Sequence, residues 1–400
     1  MSAPGAGARR IASAACLAIA LVSCAGRPTP RRPGPTPPPP PPSPGSELHW
    51  EAPTPGGLPL DVIKDPARPY LYVAQKEGGL LVLGPLGAGR PTDAARLPVS
   101  TFEGLHVTAL AQSGQLLYLG LGDFFSARGS RTGLAIVDVR DPAHPALRAR
   151  WLSSATMTGS TAVLVDGATV YLAAKRDGIM VFDASAPDTL RHLTTFQPDP
   201  DFPKPNPGAT EHPNARGLAL VGDRLFVAND AGGLRVLDVA DRAAPREVAK
   251  YLNAGVRNKP QAYNSVVVSN GVAYLGLDYC GMEVLDVADP TRIRQLGWWN
   301  PWGCETPQNT WFNSRGHTNQ VVLDAPRRRA YLSAGGSELV VLDVSAPANP
   351  RLVHQYEHPS QTQAVWGLAV TPNETFLSYI VAVVPYRGTW AGVKAVATFR

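Results

Sequence analysis

Little in this sequence is reactive. Its 400 residues hold four cysteines, four methionines and only 17% charged side chains. No G-x-S-x-G, H-E-x-x-H or P-loop pattern occurs, which removes sequence support for a hydrolase elbow, a zinc peptidase helix or a phosphate cradle. No cysteine has a second at a C-x-x-C offset, and no carboxylate pair is marked by spacing. His354 and His358 lie four apart, but on a predicted strand and its exit, where they do not converge as on a helix; His212 falls near a turn. No metal, cofactor or catalytic residue is therefore assigned. The formal charge of +5 falls to about +3 without Arg9 and Arg10, and the remaining arginines form no dense stripe, so nucleic acid is not an expected partner. The longest apolar run, Ile11 to Val22, is too short for an ordinary membrane-spanning helix.

That run has a function of its own. Arg9-Arg10 followed by an apolar stretch ending in small residues reads as an export signal over residues 1–24. Its end, Leu21-Val22-Ser23-Cys24, resembles a bacterial lipobox, which makes Cys24 the acylated first residue of a mature lipoprotein. Acyl chains buried at about 0.8 kcal/mol per methylene would anchor it to a membrane. Ala25-Gly26 follow the cysteine instead of Asp. That resembles outer-membrane sorting in a Gram-negative cell envelope. Residues 25–46 hold eleven prolines, including Pro37 to Pro42. Proline fixes φ and lacks an N–H, so this stretch reads as an extended tether of roughly 60–70 Å at ~3.1 Å per residue.

Residues 47–400 are built from a repeat: six clear units and one degenerate unit. In the clearest, Arg216–Val221, Arg224–Ala228, Leu234–Asp238 and Glu247–Leu252 read as four strands separated by Gly222-Asp223, Asp230–Gly233 and Asp241–Pro245. The third strand recurs as Leu134–Asp138, Ile179–Asp183, Met282–Asp286 and Leu339–Asp343, and without its acid as Leu80–Gly84. Spacing between the aspartates runs from 45 to 57 residues, one four-stranded propeller blade with variable loops. A proline follows each, at Pro142, Pro187, Pro245, Pro290 and Pro347. This register of apolar run, Asp and Pro resembles the LVIVD-repeat family over residues 57–357, which implies an all-β propeller and no particular chemistry. One Asp per blade does not make a calcium site; each should accept N–H bonds from its turn. The last unit shows only three strands, and residues 47–51 can supply the fourth, so seven blades closed by the N-terminal strand are expected. Six blades with an appendage is the alternative.

A four-stranded meander puts its 1–2 and 3–4 turns on one face, and its 2–3 turns and blade-to-blade links on the other. Every long insertion falls on the second face: 123–131, 197–213, 300–316 and 385–392. Long loops on a rigid scaffold are where function usually sits. Cys280 and Cys304 both fall there and should form a disulfide, two free thiols being the alternative. The bridged loop and the residues that follow it are rich in tryptophan. Trp302 and Trp311 either cap the core or present a shelf for carbohydrate or protein. Aligning the inner strands puts His106, Thr161, Arg216, Asn264, Asn319 and Trp366 at equivalent starts around the axial mouth, with His317 beside Asn319. The expected function is ligand or protein binding at that mouth. An envelope hydrolase or lyase using His317, His106 and Arg216, and a structural scaffold, are the alternatives.

Overall fold

An apolar run of five residues ending in a turn cannot bury both its faces alone, so such runs pair antiparallel and stack. In the computed structural model they form seven four-stranded antiparallel sheets. The structure describes residues 47–125, 129–203, 213–256, 259, 263–357, 363–382 and 388–400. The export signal, Cys24, the tether, His212, His358 and parts of the long loops lie outside the described residues. All seven sheets lie within the second of two units of the chain, Pro42–Arg400.

The blades follow the chain. From the axis outward, blade 4 runs Gly217–Val221, Arg224–Ala228, Leu234–Asp238 and Arg246–Tyr251, as the repeat predicts. Blade 7 has Val365–Val370, Glu374–Tyr379 and Gly392–Ala397, and its outermost strand is Leu48–Pro53 from the other end of the chain. Leu48 pairs with Val396 and Pro53 with Gly392, so the strand enters at the short-turn face and runs toward the loop-rich face. This closure confirms the seven-bladed reading and removes two open sheet edges.

Each neighbouring pair of blades traps its own apolar cluster. Between blades 4 and 5 lie Phe226, Val236, Val266 and Leu275; between blades 7 and 1, Trp50, Phe376, Val62 and Val73. The small residues of the second strands let the blades approach closely near the axis. The partners of the inner-strand residues are Ala74, Gly120, Ala173, Ala228, Gly276, Ser333 and Ser378, one per blade. A Cβ on Gly276 would sit 3.0 Å from Thr318 Cγ2 and 3.2 Å from Val321 Cγ2 of the next blade.

The repeated aspartates hold the outer turns. Oδ1 of Asp138, Asp183, Asp238, Asp286 and Asp343 each accepts the N–H two residues on, at 2.9, 2.9, 3.0, 3.2 and 2.8 Å. Each carboxylate also meets an arginine, for example Arg294 on Asp286 at 2.8 Å and Arg329 on Asp343 at 3.2 Å. These bonds favour the ionised form, and the pKa of each lies below the ordinary aspartate value.

Candidate functional site: the axial mouth

The inner strands begin on the loop-rich face, and their register defines a ring around the axis. Counting back one residue from the partners of the small residues gives Leu60, Thr108, Thr161, Arg216, Asn264, Asn319 and Trp366. Five of the mouth residues expected from sequence stand in it. His106 does not. A register shift between Val107 and Ala109 lengthens that hairpin, so Thr108 takes the ring position and His106 lies two residues toward the rim. Its Nδ1 is 3.9 Å from Asp123 Oδ1. Thr108 is buried and bonds Ser160 Oγ at 2.7 Å across the blade interface.

A second ring comes from residues two positions after the small second-strand residues, among them Lys76, Lys175, Asp230, Asp278 and Gly335. Its backbone pairs with the residue leading into the next inner strand, as in Lys175 with Ala215 and Asp230 with Tyr263. Thr318 N likewise donates to Asp278 O at 2.6 Å. Lys76, Lys175 and Asp230 take φ of 40°, 54° and 49°, an unusual conformation for charged residues that this tight link imposes.

Burial perturbs these charges. Lys175 donates to Phe124 O at 3.0 Å; burial first, and Arg216 second, bring its pKa down to about 8. Burial lifts Asp230 to about 6 against the pull of Arg216 and of Asn214 Nδ2, which donates to it at 2.8 Å. Asp230 Oδ1 has no hydrogen-bond partner among the described residues. Asp278 Oδ1 lies 2.6 Å from His317 Nδ1.

Inside the rings is a cavity of about 270 Å3, lined in part by Thr161, Arg216, Asn264, Asn319, Trp366 and Phe124. Its walls come from the inner strands of blades 3 to 7 and from the 2–3 loop of blade 2. The other side of the channel is filled. Phe124 reaches across from blade 2 and meets Trp366 of blade 7 edge-on at 5.2 Å, over Leu60 of blade 1. Deeper, Gln320 Nε2 donates to Asp61 Oδ1 at 3.2 Å, and Gln320 Oε1 accepts from Leu368 N at 2.9 Å. Asp61 also accepts from Leu110 N at 2.9 Å; its burial still raises its pKa above the ordinary value.

The disulfide expected from sequence is present, with Cα atoms of Cys280 and Cys304 5.0 Å apart. The tryptophans beside it cap the blade interfaces. Trp298 Nε1 donates to Cys280 O at 2.8 Å. Trp302 meets Trp299 edge-on at 5.6 Å and covers Gly316, where any Cβ would strike its ring. Trp311 packs on the cluster containing Cys304 and Tyr279, with its ring centre 6.2 Å from that of His317. His317 is 1% exposed behind these rings and does not line the cavity. The exposed rings are instead Phe312 at 71% and Phe125 at 49%. Among the described residues, no three His, Cys, Asp or Glu side chains converge as metal ligands would.

Phe124, Lys175, Asp230 and Asp278 were not singled out by the sequence reading. The signal was there for three of them: Lys175, Asp230 and Asp278 each stand two residues after the small residue of a second strand, a position that repeats from blade to blade, whereas Phe124 lies two residues further along its loop.

The LVIVD repeat model matches residues 129–152, 213–253 and 330–358, which cover the outer parts of blades 2 and 6 and all of blade 4. No curated protein matches the sequence. Solved propellers resemble the fold at low identity. A crystal structure of the RRP9 WD40 repeats has a TM-score of 0.62 at 11% identity, over 90% of this chain and 99% of that one. A chain of the mitotic checkpoint complex scores 0.60 at 12%, over 88% and 95%. The β-propeller domain of Cps50 (Swd1) from Myceliophteria thermophila scores 0.58 at 11%, over 88% and 100%. At such identities the likeness concerns the fold alone.

Proposed function

We propose that this chain is a lipid-anchored propeller of the bacterial cell envelope that binds a ligand or protein partner at its loop-rich axial mouth. The cavity carries the reading: a polar, charge-ringed chamber on the one face where the long loops emerge. Pockets of this kind, with a few convergent polar groups in an apolar wall, are the usual binding sites of rigid scaffolds. The entry of the chain supports it as well. Leu48 pairs at the short-turn end of blade 7, the end opposite the mouth.

Two apolar side chains of similar exposure on opposite faces allow a direct test. Phe125 lies on the loop-rich face and Val221 beside the short turn Gly222-Asp223. A photo-crosslinking side chain at position 125 should capture an envelope component in living cells, and one at position 221 should not. Equal capture from both faces overturns the proposal. A second reading, an envelope hydrolase or lyase, has one observation behind it, the 2.6 Å contact of His317 with Asp278. Both side chains are buried away from the cavity, which favours binding over catalysis.

A further inference from the structure

We infer that the axial cavity receives a small organic carboxylate that carries a hydrogen-bond donor, with Arg216 binding the carboxylate and Asn264 Oδ1 accepting from the donor; this rests on the reading of the mouth as the binding site. Arg216 lines the cavity, with its guanidinium carbon 4.9 Å above the Phe124 ring. Among the described residues its N–H edge donates no hydrogen bond, so that edge is open to a ligand. Arg216 forms no ion pair among the described residues, unlike the other inward arginines: Arg68 pairs with Asp65 at 2.5 Å and Arg235 with Glu247 at 2.6 Å. Two parallel N–H bonds to a carboxylate are what such an edge fits.

Asn264 supplies the second feature. Its Nδ2 donates to Thr318 O at 3.1 Å, which fixes the amide, and its Oδ1 is buried without a partner among the described residues. A buried acceptor left open is costly, and a ligand hydroxyl or amine would satisfy it. The two residues are neighbours across one blade interface, since a Cβ on Gly217 would stand 2.9 Å from Asn264 O. Both residues line the same cavity, so one small ligand can meet the two side chains together. Trp366, Phe124 and Val267 offer a wall for an apolar body. At about 270 Å3 the chamber lies below the usual range for drug-sized ligands, which excludes a peptide or an oligosaccharide inside it.

Mandelate carries the three features: acid, adjacent hydroxyl and ring. Mandelamide lacks the charge, and phenylacetate lacks the donor. Titration calorimetry on the full-length protein should show mandelate binding at least about tenfold more tightly than mandelamide, with phenylacetate in between. Arg216→Gln should abolish that preference by weakening mandelate far more than mandelamide, a differential that loss of fold, which removes both, cannot mimic. Arg216→Lys should restore part of it. Mandelate binding no better than mandelamide, or an unaltered preference in Arg216→Gln, overturns the inference. Should position 125 still capture its component while mandelate fails to bind, the carboxylate assignment falls alone. Should both fail, the reading of the mouth falls with it.

Discussion

Glu283, on the third strand of blade 5, is a fully buried carboxylate with no cation. Its Oε1 accepts from Tyr251 at 2.9 Å, Asn253 at 2.9 Å and Gln295 at 2.7 Å, and its Oε2 accepts from Tyr263 at 2.9 Å. Burial nevertheless outweighs these bonds and lifts its pKa to about 7, well above the ordinary glutamate value. The folded state then holds a proton that the unfolded chain has released. Stability is therefore greatest below about pH 4.5 for this group and declines as pH rises to about 7, by roughly 3 kcal/mol in all. Asp230, raised to about 6, acts in the same direction. Urea denaturation at pH 5 and pH 8 should show the wild type losing stability at the higher pH, and Glu283→Gln losing distinctly less. Equal loss in both removes Glu283 as the cause. Such a group could not be read from sequence, because its partners come from three separate strands and a turn. The five turn aspartates could be read, because each acts on its own backbone two residues away.

Two elements do the fastening. The strand Leu48–Pro53 completes blade 7, and its Trp50 is buried 5.9 Å from Phe376. Trp50→Ala should cost about 3 kcal/mol or more by leaving a void in the cluster between blades 7 and 1. Leu48→Ala, at an exposed site on the same strand, should change stability by less than about 0.5 kcal/mol. Thermal melts of the two variants make the comparison. The Cys280–Cys304 bridge closes a loop of 24 residues, and its reduction should cost about 3 kcal/mol, read as a lower melting temperature with reductant in the wild type but not in a Cys280→Ser, Cys304→Ser double variant. At this scale the sequence was most informative. Strand counting shows three strands at one end of the chain and one at the other, so closure is legible. The inner-strand starts were harder. Register shifts at Val107/Ala109, Tyr263/Ser265 and Val365/Gly367 break simple alignment there, which is why His106 was placed in a ring that Thr108 occupies.

For the molecule as a whole, the proposed anchor is the simplest claim to check. Cys24→Ser should move the protein from the membrane pellet to the soluble fraction without changing its melting temperature, since residue 24 precedes every blade strand. Retention in the pellet would count against lipidation.

The path of the closing strand carries a mechanical consequence. Its first residue sits at the short-turn rim and its last at the loop-rich end. Were something held at the mouth while the chain was pulled at residue 47, the strand would be dragged lengthwise past Gly392–Val396. Its inter-strand bonds would then bear the tension together in shear instead of opening one after another like a zipper. The clasp that completes the ring is oriented to resist traction applied at residue 47.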